Sequence, residues 1–149
     1  MRSILPMVKY SSQHVPADAR HLISLRASVL NDCRACIATH RRDARHDGWS
    51  EEHILATEDW TNNASLFGVT DTLILRLTDA ITHIDGEESV PDELWNAAVD
   101  TLGEAETLDI LVSICAINTF NRVSITTRTD PARIPDTTDF DLARNQPRT

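Results

Sequence analysis

The chain has 149 residues, 41% hydrophobic and 25% charged, the size and apolar content of a single globular domain. Its formal net charge of −9 comes from acidic residues spread along the chain, a distribution that repels phosphate backbones and anionic lipid and so speaks against nucleic acid or membrane surfaces as partners. The first twenty residues hold no apolar stretch of signal-peptide length and are interrupted by Pro6 and Pro16, and no later segment approaches the roughly 20 apolar residues of a membrane span, so the expected setting is the cytoplasm.

Only four glycines occur, and most apolar residues recur at spacings of three and four, which predicts an all-α chain. Residues 1–15 read as an irregular N-terminal arm, 16–128 as one helical domain, and 129–149 as a polar, proline-punctuated tail that orders only by docking. From Ala19 to about Leu30, Leu22, Ile23, Leu25, Val29 and Leu30 form an apolar helix face. Asn31 and Asp32 are good N-cap types and predict a second helix carrying Cys33 to His46, stopped at Gly48. Ser50 caps a third helix to about Trp60. Thr70 or Asp71 caps a fourth, with Leu73, Ile74, Leu77, Ala80, Ile81 and Ile84 as its buried stripe and Gly86 at its end. Pro91 precedes a helix over Leu94–Leu102, and Glu104 to about Ser124 carries the longest apolar run, which predicts the central helix.

The chemistry concentrates in Cys33-Arg34-Ala35-Cys36-Ile37-Ala38-Thr39-His40, where two thiols and an imidazole stand at i, i+3 and i+7 of one helix and share a face. Three cysteines do not make a disulfide scaffold, and in a reducing compartment a C-x-x-C pair is more often catalytic or metal-binding than a staple. A helix N-terminus, a neighbouring thiol and a nearby imidazole each lower a thiol pKa, so His40 is placed to take the Cys36 proton and Cys33 to resolve a sulfenic acid or mixed disulfide on Cys36. Buried structural thiols, or half of a zinc site with His40, are the alternatives; structural zinc usually draws ligands from two segments, and no second C-x-x-C or H-x-x-H occurs, which favours the redox reading with no metal. Cys115, inside the apolar run, reads as a small hydrophobe. Trp49, Trp60 and Trp95 read as core or interface anchors, Asp43 and Arg45 as solvated or interhelical ion pairs, and Asn118, Asn121 and Arg122 equally as pocket lining or helix caps.

The stretch Leu22–Ile54 resembles the signature of the alkylhydroperoxidase D-like (carboxymuconolactone decarboxylase) family, with C-x-x-C-x-x-x-H after a leucine-rich helix and before a D-A-R-x-x-G segment. Val90–Arg122 is similar to the family's later helices, including the Ala-Ile-Asn-x-x-Asn-Arg end, so that roughly residues 15 to 127 are covered. The resemblance implies an AhpD-like helical bundle that forms homo-oligomers. It also implies thiol-dependent reduction of a peroxide or disulfide substrate through a redox-active Cys33–Cys36 disulfide, with no other cofactor and a dithiol or protein reductant. Decarboxylase relatives lack the cysteine pair, which argues against lactone decarboxylation here. In the peroxidase members a glutamate twelve residues before the first cysteine joins a proton relay with the histidine; this chain has His21 there, either a relay member or a surface residue. A rival reading is an oligomeric scaffold whose thiols sense oxidation without turnover.

Overall fold

A computed structural model describes residues 3–133, and every regular element among them is helical. The α-helices are α1 (Leu5–His14), α2 (Ala17–Leu30), α3 (Arg34–His46), α4 (Glu51–Glu58), α5 (Val69–Thr82), α6 (Asp92–Leu102) and α7 (Glu104–Thr126), with short 3₁₀ segments at Trp60–Leu66, Glu87–Ser89 and Pro131–Arg133.

The all-α expectation holds, and its boundaries need correction. The arm at 1–15 is not irregular where it is described: Pro6 lies in the first turn of α1, where its missing N–H costs nothing. A ten-residue helix is marginal alone, and α1 is held by packing on α7, with Tyr10 Oη donating to Asp109 Oδ1 at 2.6 Å and Ser11 bonded to Ser113. Asn31 and Asp32 do not cap α3; they close α2, as described below. Helix α5 starts at Val69 with Gly68 as its N-cap, two or three residues before the predicted caps, and Asp71 instead sits in the first turn, where its charge suits the helix dipole. It ends at Thr82, because Ser89 Oγ takes the N–H groups of Asp85 and Gly86 into a separate turn; Ile84 therefore falls outside the buried stripe and is exposed.

The predicted centre is shared. Helix α7 packs against α1, α2, α5 and α6, but α2 is buried almost all round, with Leu22, Ile23 and Leu25 fully inside and α3, α4, α5 and α7 all against it. By length and composition α7 does reach what a bilayer crossing needs, contrary to the sequence expectation; its apolar residues Ile110, Ile114 and Ile117 are spent on the bundle core, and it buries Asn118 and Asn121 in hydrogen bonds. Arg26 locks three elements, donating to Asp79 on α5 and to the Glu58 carbonyl that ends α4, while Trp60 Nε1 donates to the same Asp79. Trp60 and, partly, Trp95 pack on the main core as anticipated. Of the predicted tail, residues 129–133 form a turn against α3 and the remainder lies outside the described residues.

Candidate functional site

The site is built on the junction between α2 and α3. Helix α2 ends in a Schellman turn: Asn31 is its C-cap, Asp32 takes the left-handed conformation at φ 49°, the Asp32 N–H bonds the Val29 carbonyl, and the Cys33 N–H bonds that of Ser28. The residue that leaves this turn is the N-cap of α3. Cys33 is that residue, and its sulfur accepts from the Cys36 N–H at 3.4 Å, the position a capping hydroxyl oxygen would take. Asn118 and Asn121 of α7 brace the junction. Asn121 Nδ2 donates to the Ala27 carbonyl and its Oδ1 accepts from Ser28 Oγ, while Asn118 Oδ1 accepts from Asn31 Nδ2 and from Arg122. Of the two roles open to these residues in the sequence, the structure assigns helix-end support.

Cys33 and Cys36 are joined as a disulfide, with Cα atoms 5.2 Å apart and both residues buried. His40 stands one turn beyond Cys36, also buried, and burial, with positive charge on the neighbouring Arg42 and any on His21 adding to it, pushes its pKa down to about 3. It is therefore a neutral imidazole across the physiological range. His40 Nδ1 lies 3.9 Å from Asp43 Oδ2, and Asp43, read in the sequence as a solvated or ion-pair residue of no consequence, is 1% exposed and also takes Arg42 Nη2 at 3.0 Å.

His21 is not a surface residue. It is 1% exposed on α2, and its Nε2 is 2.9 Å from Asp47 Oδ2 at the C-terminal end of α3. Burial lowers its pKa, with Arg20 adding to the effect, although Asp47 and Asp18 oppose it. Burial alone would raise the Asp47 carboxyl, but the bonds from His21 and His46 hold it below its ordinary value, so the contact is an imidazole N–H donating to a carboxylate. Trp49 covers this contact edge-on to His21, with ring centroids 5.3 Å apart, and anchors its indole N–H on Asp18 at 2.9 Å. Trp49 thus serves the site as well as the core.

Sequence reading missed Asp43, Asp47 and Asp18. The signal was present for the first two: Cys36, His40, Asp43 and Asp47 follow at spacings of 4, 3 and 4, one stripe of α3. Cys115 departs from expectation in the other direction. It lies on the exposed side of α7, and its partly shielded thiol has a raised pKa, so it resembles neither a core filler nor an activated nucleophile.

A domain whose described elements are all helical, with a cysteine pair at the N-terminus of one helix packed on a largely buried leucine-rich helix, defines the class. The sequence profile of the Carboxymuconolactone decarboxylase family matches residues 6–70, which span α1 through α4 and the thiol pair. The uncharacterised protein YdfG of Bacillus subtilis is 33% identical over 126 residues, covering 84% of each chain. A crystal structure of ATU0492 from Agrobacterium tumefaciens, a protein of unknown function and a candidate AhpD antioxidant defence protein, superposes with a TM-score of 0.80 at 31% identity over 87% of this chain and 88% of that one. The chain belongs to the carboxymuconolactone decarboxylase family and has its AhpD-like all-α fold.

Proposed function

We propose that the protein is an antioxidant enzyme of the AhpD type, a thiol-dependent peroxidase or disulfide reductase in which Cys36 attacks and Cys33 resolves. The observation that carries this reading is the bonded Cys33–Cys36 pair at the start of α3 with His40 one helical turn further on. In the reduced enzyme the Cys36 thiolate attacks one peroxide oxygen, the O–O bond breaks, and the departing alkoxide takes a proton, leaving an alcohol and a sulfenic acid on Cys36. Cys33 then attacks that sulfur, its S–H proton passing to the departing hydroxyl so that water leaves and the disulfide closes. The two electrons come back from an external dithiol, small or protein, by exchange through a mixed disulfide. The helix N-terminus and the capping N–H of Cys36 favour negative charge on the sulfurs, and His40, one helical turn from Cys36, is the group proposed to carry the Cys36 proton; the burial that makes it a weak base in this disulfide state means that the transfer depends on the site opening on reduction. A reducing compartment such as the cytoplasm would keep this cycle running, and the exposed Leu108 and Cys115 face of α7 suits burial between copies of the chain in a homo-oligomer.

The test is steady-state turnover of hydrogen peroxide and an alkyl hydroperoxide with a dithiol reductant. The enzyme is expected to cycle for many equivalents, and Cys36→Ser is expected to lose at least about 100-fold, the scale on which a nucleophile's activation contributes. Oxidation of two thiols per chain in a single stoichiometric event, with no turnover, would instead identify a sensor. Retention of both thiols after peroxide would remove the redox reading altogether.

A further inference from the structure

The acidic residues are spread along the chain, but the basic ones are not. Residues 77–121, from α5 through most of α7, hold ten of the 23 acidic residues and no lysine or arginine. Helix α3, by contrast, carries Arg34, Arg41, Arg42 and Arg45 against Asp43 alone, and Arg122, Arg128 and Arg133 follow at the end of α7 and in the turn beyond it. Three of these cations are engaged, Arg41 with Glu58, Arg42 with Asp43 and Arg45 with Glu51. The other four, Arg34, Arg122, Arg128 and Arg133, are exposed, and their one ion pair among the described residues is that of Arg133 with Asp130 at 3.8 Å.

All four belong to the side of the molecule where α7 ends against α3. Arg34 directly follows Cys33. Arg122 donates to Asn118 Oδ1 at 3.1 Å, and the same oxygen takes Asn31 Nδ2 at 3.0 Å, which ties Arg122 to the C-cap of α2, two residues before Cys33. Arg128 holds the left-handed position that closes α7, and the turn Pro131–Arg133 then packs back on α3. The helix dipole accounts for Arg122, near a C-terminus, but not for Arg34, which stands in the first turn of α3, where the dipole opposes a cation. Asp32 and Asp130 are the exposed carboxylates interleaved with these residues, so the arginines remain in excess.

We propose that this arginine patch is the docking surface of an acidic protein dithiol that reduces the Cys33–Cys36 disulfide, an inference that rests on the pair being redox-active. Its breadth favours a protein over a small thiol: Arg122 and Arg128 stand roughly 9 Å apart along the α7 axis, and Arg34 and Arg133 lie on other elements. A thiolate of the partner attacks one sulfur, the S–S bond breaks, and the other sulfur leaves and takes a proton. The partner's second thiol then attacks the mixed disulfide, frees the remaining cysteine as a thiol and leaves the partner oxidised, so that two electrons and two protons have passed to Cys33 and Cys36. The patch contributes by steering, because opposite charge speeds encounter and salt screens it.

The experiment measures how fast oxidised full-length protein is reduced, by quenching with iodoacetamide and reading alkylated Cys33 and Cys36 by mass spectrometry. Three reductants are compared: dithiothreitol, which is uncharged, glutathione, a small anionic thiol, and reduced thioredoxin, an acidic protein with a Cys-x-x-Cys dithiol. Arg34→Glu and Arg128→Glu should each slow thioredoxin about fivefold at low ionic strength, with the gap closing toward 0.3 M salt, while dithiothreitol changes by less than about twofold. Arg76→Glu, which changes the net charge equally from the exposed side of α5, should leave all three rates within about twofold. A thioredoxin rate indifferent to Arg34 and Arg128, an equal loss with dithiothreitol, or an equal loss in Arg76→Glu would each overturn the assignment. A loss confined to glutathione would overturn it too, by giving the patch to a small anionic thiol. No peroxide enters this measurement, so absence of turnover in the wild type counts against the proposed enzyme without touching the result here, and a protein that cannot be oxidised at Cys33 and Cys36 fails the redox reading before any reductant is compared.

Discussion

Both ends of α3 meet the rest of the molecule through the same backbone device, and they use it for different chemistry. At the entrance, α2 closes in a Schellman turn with Asp32 in the left-handed position, and the chain emerges directly into the capping Cys33. At the exit, α3 closes in a Schellman turn with Gly48 in that position, and the C-cap is Asp47, which reaches back to His21. The entrance delivers two sulfurs to a helix N-terminus, where the dipole favours negative charge. The exit brings a carboxylate to a helix C-terminus, where the dipole opposes it, and there the bonds from His21 and His46 supply the compensation. The lesson is that one turn geometry can aim opposite ends of a helix at a single neighbour, and that the side chain at each cap decides what is delivered.

The largest expected effect lies between the two ends, where the histidines are buried. His40 has a folded pKa near 3 against an ordinary value of 6.5, and that of His21 is also lowered. The unfolded chain therefore binds more protons than the folded one between these values, and stability rises with pH through that window and falls as pH drops below about 6.5. Each such group contributes up to about 1.4 kcal/mol per pH unit. Thermal or denaturant unfolding of His40→Gln against wild type should show a shallower loss of stability from pH 6.5 to 4.5; equal slopes would mean that His40 is protonated in the native state.

The next effect separates the entrance from the exit by their bracing. The entrance turn is tied to α7 by hydrogen bonds from Asn121 to the Ala27 carbonyl and from Ser28 to Asn121, and Asn121 is fully buried. Asn121→Ala leaves Ser28 Oγ without its acceptor and opens space beside it, at a cost of about 2–3 kcal/mol. Because the loss falls on the turn that presents Cys33, reduction of the disulfide by a fixed dithiol should also accelerate in this variant. A midpoint shift under chemical denaturation with unchanged reduction rate would assign Asn121 to the core alone.

How much of this was legible in the sequence follows from where each interaction lies along the chain. Local signals were readable: the Ser50 cap, Gly48 after α3, and the thiol and imidazole spacing of Cys33, Cys36 and His40 all arise within one helical turn or its end. Asn31 and Asp32 illustrate the ambiguity of such signals, since residues that suit an N-cap equally suit the C-cap and left-handed position of the preceding helix. What could not be read were contacts across the fold. His21 to Asp47 spans 26 positions and Ser28 to Asn121 spans 93, and nothing in residue type marks which helix faces which. Helix α1 was missed for the same reason, because its order comes from Tyr10 and Ser11 meeting α7 rather than from its own propensity.

The smallest effects test the turns themselves, by exchanging what stands in the left-handed position. Gly48 has φ +92°, and a Cβ placed there would meet nothing within 4 Å, so Gly48→Ala adds no collision and its cost is backbone strain alone, about 1–2 kcal/mol. Asp32 already bears a side chain at φ 49°, in the region that Asp tolerates better than most residues, so Asp32→Gly relieves less strain and adds freedom to the unfolded chain. The two terms nearly offset, and the expected change is a gain of no more than about 0.5–1 kcal/mol. Both variants leave every capping bond of the backbone in place, so Cys36 alkylation should be unaltered in either. The opposite pattern, a destabilising Asp32→Gly beside a neutral Gly48→Ala, would mean that the Asp32 side chain, rather than its backbone conformation, holds the entrance to α3, and the equivalence of the two turns would then fail.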